Sequence, residues 1–568
     1  MDVRALNAAA LDRSIADLRR GAGSWAASPL ADRIVMLERL LPRVLSRSDV
    51  MVTAAARAKG YGPSSAWAAE DWAGGPWALV QSATAYLHVL RRIANGQDPV
   101  KTQNIHVRGA RVHVDVFPVT GWDRMLLNGF SARVWMRPGV TARQVRDRAA
   151  SPHRSDGFRP GVSLVLGAGN VAAIVALDIL HKLYVEGQAV IAKMNPVNSY
   201  LKPHFEYVFG EFIARDWVRF VDGGAREGEY LVRHEGVDTV HVTGSGRTRD
   251  AIVWGTGTDA MDRRRRGQRL MNKPLSSELG GVSPCLVAPG PWRAADFRFQ
   301  AENIVTSKLN NSGHNCIASQ ILVVPRDWDG TERLLQEIRR LLRALPPRSN
   351  YYPGADDRLG KVATAHPEAE VYGDGSRLLV PDITDFDGPL IKSEVFGDAL
   401  GVVRLPGGST LDYLTKAAEF ANDMLPGSLG ATLIAHPKTL RTDREVLERI
   451  IDRLQFGTVG VNCWAGLGFL LGYAPWGAFP GNTQQDVGSG IGFVHNAFML
   501  EDIEKSVLYA PFAPAPRGLF QGAPSMSPRP PFFVTNRSAL TTMRLVTRFT
   551  AAPSLLALPA IFASAMRG

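Results

Sequence analysis

The 568-residue sequence is poor in cysteine: Cys285, Cys316 and Cys463 are too few and too scattered for a disulfide framework. No Cys-x-x-Cys pair or cysteine/histidine spacing suggests a metal site, and none is expected. The default setting is therefore a reducing cytoplasm. Residues 1–20 carry charges throughout and lack the apolar core of a signal peptide. There is no aromatic-interleaved basic stripe and no DNA-binding motif, so nucleic acid is not an expected partner despite a net charge of +11. Internal repeats are absent. Two long uncharged stretches call for a membrane check. Residues 455–485 are interrupted by glycine and proline and read as buried loop. Residues 549–566 are barely long enough to span a bilayer, and Pro553 and Pro559 make them a poor spanning helix. A docked terminal extension is the expectation there, with peripheral membrane contact as the alternative.

What is abundant is glycine. Many of the 55 glycines fall in short turns between apolar runs, the pattern of an α/β protein with many strand-to-helix connections. Residues 1–95 read as helical, and Val107, Val112, Val114 and Val116 begin a strand-like alternation. At Gly161 a βαβ unit begins. Val162-Ser163-Leu164-Val165-Leu166 is a strand, Gly167-Ala168-Gly169-Asn170 a tight turn, 171–183 an apolar helix and Ala189-Val190-Ile191-Ala192-Lys193 a second strand. Such a unit places a ligand at the strand ends. Its glycines do not fit GxGxxG, so the usual dinucleotide fingerprint is missing. A later strand ends in Thr243-Gly244-Ser245-Gly246, a small-residue turn suited to phosphate. The run Arg263-Arg264-Arg265-Arg266, followed by Arg269 and Lys273, reads as a solvated loop or as attraction for an anion.

Cys316 lies in the polar turn Asn310-Asn311-Ser312-Gly313-His314-Asn315, ahead of the short apolar strand Ile321-Leu322-Val323-Val324. A thiol so placed is a nucleophile if its thiolate is stabilised, although an inert buried cysteine is the commoner case. The order of motifs around it is more specific. Thr243-Gly244-Ser245, Glu278-Leu279-Gly280-Gly281 with Ser283-Pro284, Gly313 three before Cys316, Glu394-x-Phe396-Gly397 and Ser489-Gly490-x-Gly492 together resemble the aldehyde dehydrogenase superfamily. The resemblance covers roughly residues 30–500 and not the tail.

The resemblance implies two Rossmann-like open-sheet α/β domains, cofactor-binding and catalytic, plus a small strand-rich oligomerisation element. The expected divisions are 1–276 for the cofactor domain, with about 100–160 in the oligomerisation element, 277–465 for the catalytic domain, 466–505 as a return segment and 506–568 as an extension. It also implies roles. Cys316 attacks an aldehyde carbonyl, the Asn170 amide and the Cys316 backbone N–H meet the oxyanion, and Glu278 activates the water that hydrolyses the thioester. Lys193, Gly244, Ser245, Glu394 and Phe396 are the implied contacts to NAD or NADP. Several features depart from the family pattern, among them a longer 100–160 region and what reads as an insertion at Arg263–Arg266. The asparagine turn is glycine-rich, and Met194-Asn195-Pro196 follows Lys193 in place of a segment whose glutamate selects an unphosphorylated ribose, so NADP is open. His314 stands where glutamine is usual.

The expected activity is oxidation of an apolar aldehyde to a carboxylic acid, because Trp464, Leu467, Phe469, Leu470, Leu471, Tyr473 and Trp476 fall where the family forms its substrate entrance. The alternatives are a coenzyme A-dependent acylating dehydrogenase or acyl reductase, and a catalytically silent scaffold. A small-molecule aldehyde and self-association as a homodimer or homotetramer are the expected partnerships.

Overall fold

The computed structural model describes residues 6–155 and 157–568; of the charged N-terminal stretch, residues 1–5 lie outside it. Two sheets organise the chain. The first has six strands, in the order Gly490–Ile491, Leu275–Leu279, Thr239–Gly244, Val162–Leu166, Ala189–Lys193, Val218–Val221. All pairings in it are parallel except that of Gly490–Ile491 with Leu275–Leu279. The strands read as continuous apolar runs because both faces are covered. Val162 and Leu164 pack with Leu11, Ile15 and Leu18 of the Ala8–Ala26 helix. Val165 points the other way and joins a cluster with Ile179 and Leu180 of the Ile174–Tyr184 helix, as the two-residue pleat requires. Chain order reverses at Val162–Leu166, whose neighbours are Ala189–Lys193 and Thr239–Gly244. A crevice therefore opens at the carboxyl ends of these strands, between the Gly167–Asn170 and Gly244–Ser245 turns.

The second sheet has eleven strands, and the Ser319–Pro325 strand that follows Cys316 lies parallel between Ser283–Val287 and Ala399–Leu405. The alternating valines form the antiparallel pair Ile105–Arg108 and Arg111–Phe117. With Ser131–Met136 they extend this same sheet, because Ile503–Tyr509 pairs antiparallel with Ser131–Met136 and parallel with Thr458–Val461.

The arginine run is not a loop. It is the last turn of the exposed helix Thr258–Arg266, where four guanidinium groups sit favourably at the negative end of the helix dipole. The uncharged 549–566 stretch is broken between helices Ala539–Ala551 and Leu558–Ala565, as Pro553 and Pro559 require. No described helix is long and apolar enough to cross a membrane. The Ala539–Ala551 helix is docked: Ala539 and Met543 pack with Val52, Ala68 and Trp72, and Trp77 Nε1 donates to Thr550 Oγ1 at 3.3 Å.

Candidate active site

The turn that carries Cys316 is held in an uncommon backbone conformation. Asn311 and Ser312 have φ of +57° and +54°, and non-glycine residues there persist only when their surroundings over-determine them. Here they do. The Asn311 backbone N–H donates to Glu70 Oε2 at 2.8 Å, and Asn311 Nδ2 donates to the Asn170 and His314 carbonyls, each at 3.0 Å. Glu70 is itself paired with the buried Arg348 at 2.9 Å. At Gly313, φ +67°, an added Cβ would lie 2.5 Å from the Gly397 carbonyl carbon, so the thiol turn and the Glu394–Gly397 turn touch backbone to backbone.

Glu278 sits on the Leu275–Leu279 strand, opposite Gly490 in register. A Cβ on Gly490 would meet the Ser277 carbonyl oxygen at 2.1 Å, the physical reason for glycine in Ser489-Gly490-x-Gly492. The Glu278 carboxylate is buried. Its Oε1 accepts the Trp476 indole N–H at 2.7 Å and faces the Cys316 thiol, which donates to it at 3.7 Å. Burial, and then the negative charge of Asp178, push the Glu278 pKa up to about 8, while the bonds from Trp476 and Cys316 pull the other way. Burial pushes the Cys316 thiol well above its ordinary range, and the charges of Glu278 and Glu394 add to this. The thiol is therefore neutral at rest, and the carboxyl group beside it is the nearest side chain to which it donates.

Asn170 is brought against the same turn. One N–H of its amide donates to the His314 carbonyl at 2.9 Å, and the other has no partner among the described residues. His314 supplies no positive charge to the thiol. Burial lowers its pKa to about 3, its Nδ1 bonds the Phe396 carbonyl at 2.9 Å, and its ring packs among Tyr351, Tyr352 and Phe396. It ties the thiol turn to the Glu394–Phe396 turn.

All the residues expected from the sequence, Cys316, Glu278 and Asn170 together with Lys193, Gly244, Ser245, Glu394 and Phe396, line one cavity of about 1820 Å³. That exceeds the ~300–1,000 Å³ of a drug-sized site. The donor set fits a dinucleotide. Ser245 caps the Gly246–Trp254 helix, whose first-turn backbone lines the cavity, and nothing fills the space beside Gly244 and Gly246 where a Cβ would stand. Arg233, Arg247, Arg263 and Lys273 add positive charge to the wall. Lys193 is buried, which lowers its pKa, and among the described residues Nζ bonds the Met194 carbonyl at 3.3 Å. Glu394 is half-buried with its Oε1 enclosed and free of any described partner, and desolvation raises it to about 8. It lies across Gly280, where a Cβ would come within 2.2 Å of its oxygens.

The sequence profile of the aldehyde dehydrogenase family matches residues 160–353, the stretch that runs from the first βαβ unit through Cys316. Over these residues the chain is similar to the aldehyde dehydrogenase family. It is 28% identical over 286 residues to N-succinylglutamate 5-semialdehyde dehydrogenase 1 of Caulobacter vibrioides, covering 46% of this chain and 56% of that one. It is 25% identical over 338 residues to D-glyceraldehyde dehydrogenase (NADP(+)) of Picrophilus torridus, covering 53% and 60%. The chain thus spans little more than half the length of these curated relatives. In fold it resembles the crystal structure of NAD-dependent aldehyde dehydrogenase from Sinorhizobium meliloti, with a TM-score of 0.60 at 16% identity over 88% of this chain and 86% of that one.

Two residues of this site have contacts that the sequence does not signal. Glu70 reaches the thiol turn from the helical N-terminal region. Trp476 reads as part of an apolar entrance, and it does join Ile317, Leu429, Trp464, Phe469 and Val494 around Cys316. Its indole N–H nevertheless makes the one strong bond to Glu278. Trp476→Phe is expected to shift the acid limb of the pH–rate profile upward, because a bond that favours the ionised carboxylate is lost. The rate at neutral pH should fall by about tenfold, the scale of a hydrogen bond to a charged group. An unmoved limb would show that the indole only packs.

Proposed function

We propose that the protein is an NAD(P)-dependent dehydrogenase that oxidises an apolar aldehyde to a carboxylic acid. The observation that carries this reading is the 3.7 Å approach of Cys316 Sγ to Glu278 Oε1 in the wall of a dinucleotide-sized cavity. Glu278 takes the thiol proton, and the thiolate adds to the aldehyde carbon. The developing oxyanion meets the free Asn170 N–H and the Cys316 backbone N–H. The cofactor, when bound, supplies the two-electron acceptor that turns the Cys316 thiohemiacetal into a thioester. After the thiol proton has left Glu278 for solvent, the carboxylate removes a proton from water, hydroxide adds to the acyl carbon, and the carbon–sulfur bond breaks to release the acid, the thiolate recovering its proton from Glu278. A glutamate poised for water favours hydrolysis over transfer to coenzyme A.

In this reading residues 1–276 hold the cofactor, 277–465 supply the nucleophile, and 466–505 return to brace Glu278. No carboxylate follows Lys193, where Asn195 Oδ1 instead accepts the Val197 N–H at 3.0 Å, so a 2′-phosphate is not repelled and NADP should be accepted. The aromatic and aliphatic cluster around Cys316 supports an apolar aldehyde.

A panel of aldehydes assayed with NAD and NADP, with and without coenzyme A, tests the reading. Medium-chain or aromatic aldehydes should give free acid without coenzyme A, and a charged semialdehyde should turn over more slowly by about tenfold or more. Strict coenzyme A dependence would make the enzyme acylating. The absence of any turnover, with Cys316 alkylated no faster than Cys285 or Cys463, would leave a scaffold.

A further inference from the structure

Beneath Glu278 the core holds polar groups that the steps above do not use. Asp178, on the Ile174–Tyr184 helix, is fully buried, and its charge acts on Glu278. Its Oδ2 accepts the Thr243 hydroxyl at 3.1 Å, and its Oδ1 lies 3.6 Å from His241 Nε2. His241 Nδ1 is 2.9 Å from Ser276 Oγ on the neighbouring strand. Ser276 Oγ in turn accepts from Lys182 Nζ at 3.3 Å, and Lys182 Nζ bonds Glu186 Oε1 at 2.5 Å. Glu186 is about one third exposed and is the point where this chain of contacts reaches solvent. Asp178 is also faced by His495 from the return segment and by Tyr86 from the Ala78–Ala94 helix. Both His495 nitrogens and Glu278 Oε2 are buried without a described side-chain partner. A run of buried ionisable groups costs stability unless it is paired, and an inert core fills with apolar side chains instead.

We propose that Asp178, Thr243, His241, Ser276, Lys182 and Glu186 form the path by which protons collected by Glu278 leave the site. The proposal rests on the hydrolytic reading above. Per turnover Glu278 takes one proton from the thiol and one from water. The thiol proton must leave Glu278 before the carboxylate can deprotonate water, and the water proton returns to the thiolate when the carbon–sulfur bond breaks. The product acid releases its own proton into solution. Asp178 is the carboxylate whose charge acts on Glu278, and His241 spans Thr243, at 3.1 Å, and Ser276 with one ring nitrogen on each side, as a relaying imidazole must. Burial lowers His181 and His495, the latter to about 4, so both stay neutral beside the path and do not trap a proton.

Hydrolysis of p-nitrophenyl acetate by the cofactor-free protein isolates the steps concerned. Acylation of Cys316 releases one nitrophenolate in a burst, and the steady rate reports deacylation. Asp178→Asn should keep the burst and lower the steady rate by about 10- to 100-fold, on the scale of a lost acid–base partner. Its acid limb should also move to lower pH, because the charge that raises Glu278 is gone. Ser276→Ala, a small change in mid-path, should lower the steady rate by about threefold or more and enlarge the solvent deuterium isotope effect, with the burst and the limb unchanged. A wild-type steady rate in Ser276→Ala overturns the path, and so does an unmoved limb in Asp178→Asn. If thermal melting shows that Asp178→Asn does not fold, Ser276→Ala decides alone. Failure of the wild-type protein to hydrolyse the ester would instead refute the functional reading itself.

Discussion

Replacing Cys316 with serine is expected to abolish aldehyde oxidation, by about 10³-fold or more, while leaving cofactor affinity unchanged. The reason is the proton acceptor. Glu278, at about 8, is matched to a thiol 3.7 Å away and is far too weak a base for an aliphatic hydroxyl. The change is nearly isosteric, and Cys316 lies at one end of a cavity whose phosphate-facing helix and basic wall are elsewhere, so binding should survive. Fluorescence titration with NADH and NADPH, beside kcat, separates the two effects. Full activity in the serine variant would sink the mechanism. Alkylation offers a second view. Burial raises Cys463 to about 12 and Cys285 higher still, with no base beside either, so Cys316 should be the thiol that reacts, and faster as pH rises.

The second large effect belongs to Glu278→Gln. The amide keeps the shape and can still accept the Trp476 N–H, but it cannot take a proton. Thiol attack should slow and thioester hydrolysis should stop, leaving at most one equivalent of reduced cofactor and an acyl adduct on Cys316. A steady-state loss of about 10²- to 10⁴-fold is the expected scale for a general base. The sign with pH follows from the same group. Wild-type activity needs the carboxylate, so it should climb as pH rises through about 8, and this limb should vanish in the glutamine variant. Mass spectrometry of the Cys316 peptide during turnover checks the adduct. Unimpaired turnover would remove Glu278 from the chemistry.

By itself the sequence determined the elements whose causes are local. The apolar runs at 162–166 and 189–193, the glycine turn between strand and helix, and the cap at Ser245 each follow from pleat, periodicity and backbone freedom within a few residues. The order of short motifs then placed Cys316, Glu278, Glu394 and their neighbours in one family pattern, and all of them line one cavity. Packing decided the rest. Trp476 meets Glu278 across 198 residues, and Glu70 braces Asn311 across 241. Asp178 finds His241 only because the Ile174–Tyr184 helix lies against its sheet. The neutral state of the thiol, the raised pKa of Glu278 and the role of His314 as a tie between two turns are likewise properties of burial. Burial depends on how two sheets and their covering helices close over one crevice, and no window of residues along the chain contains that information.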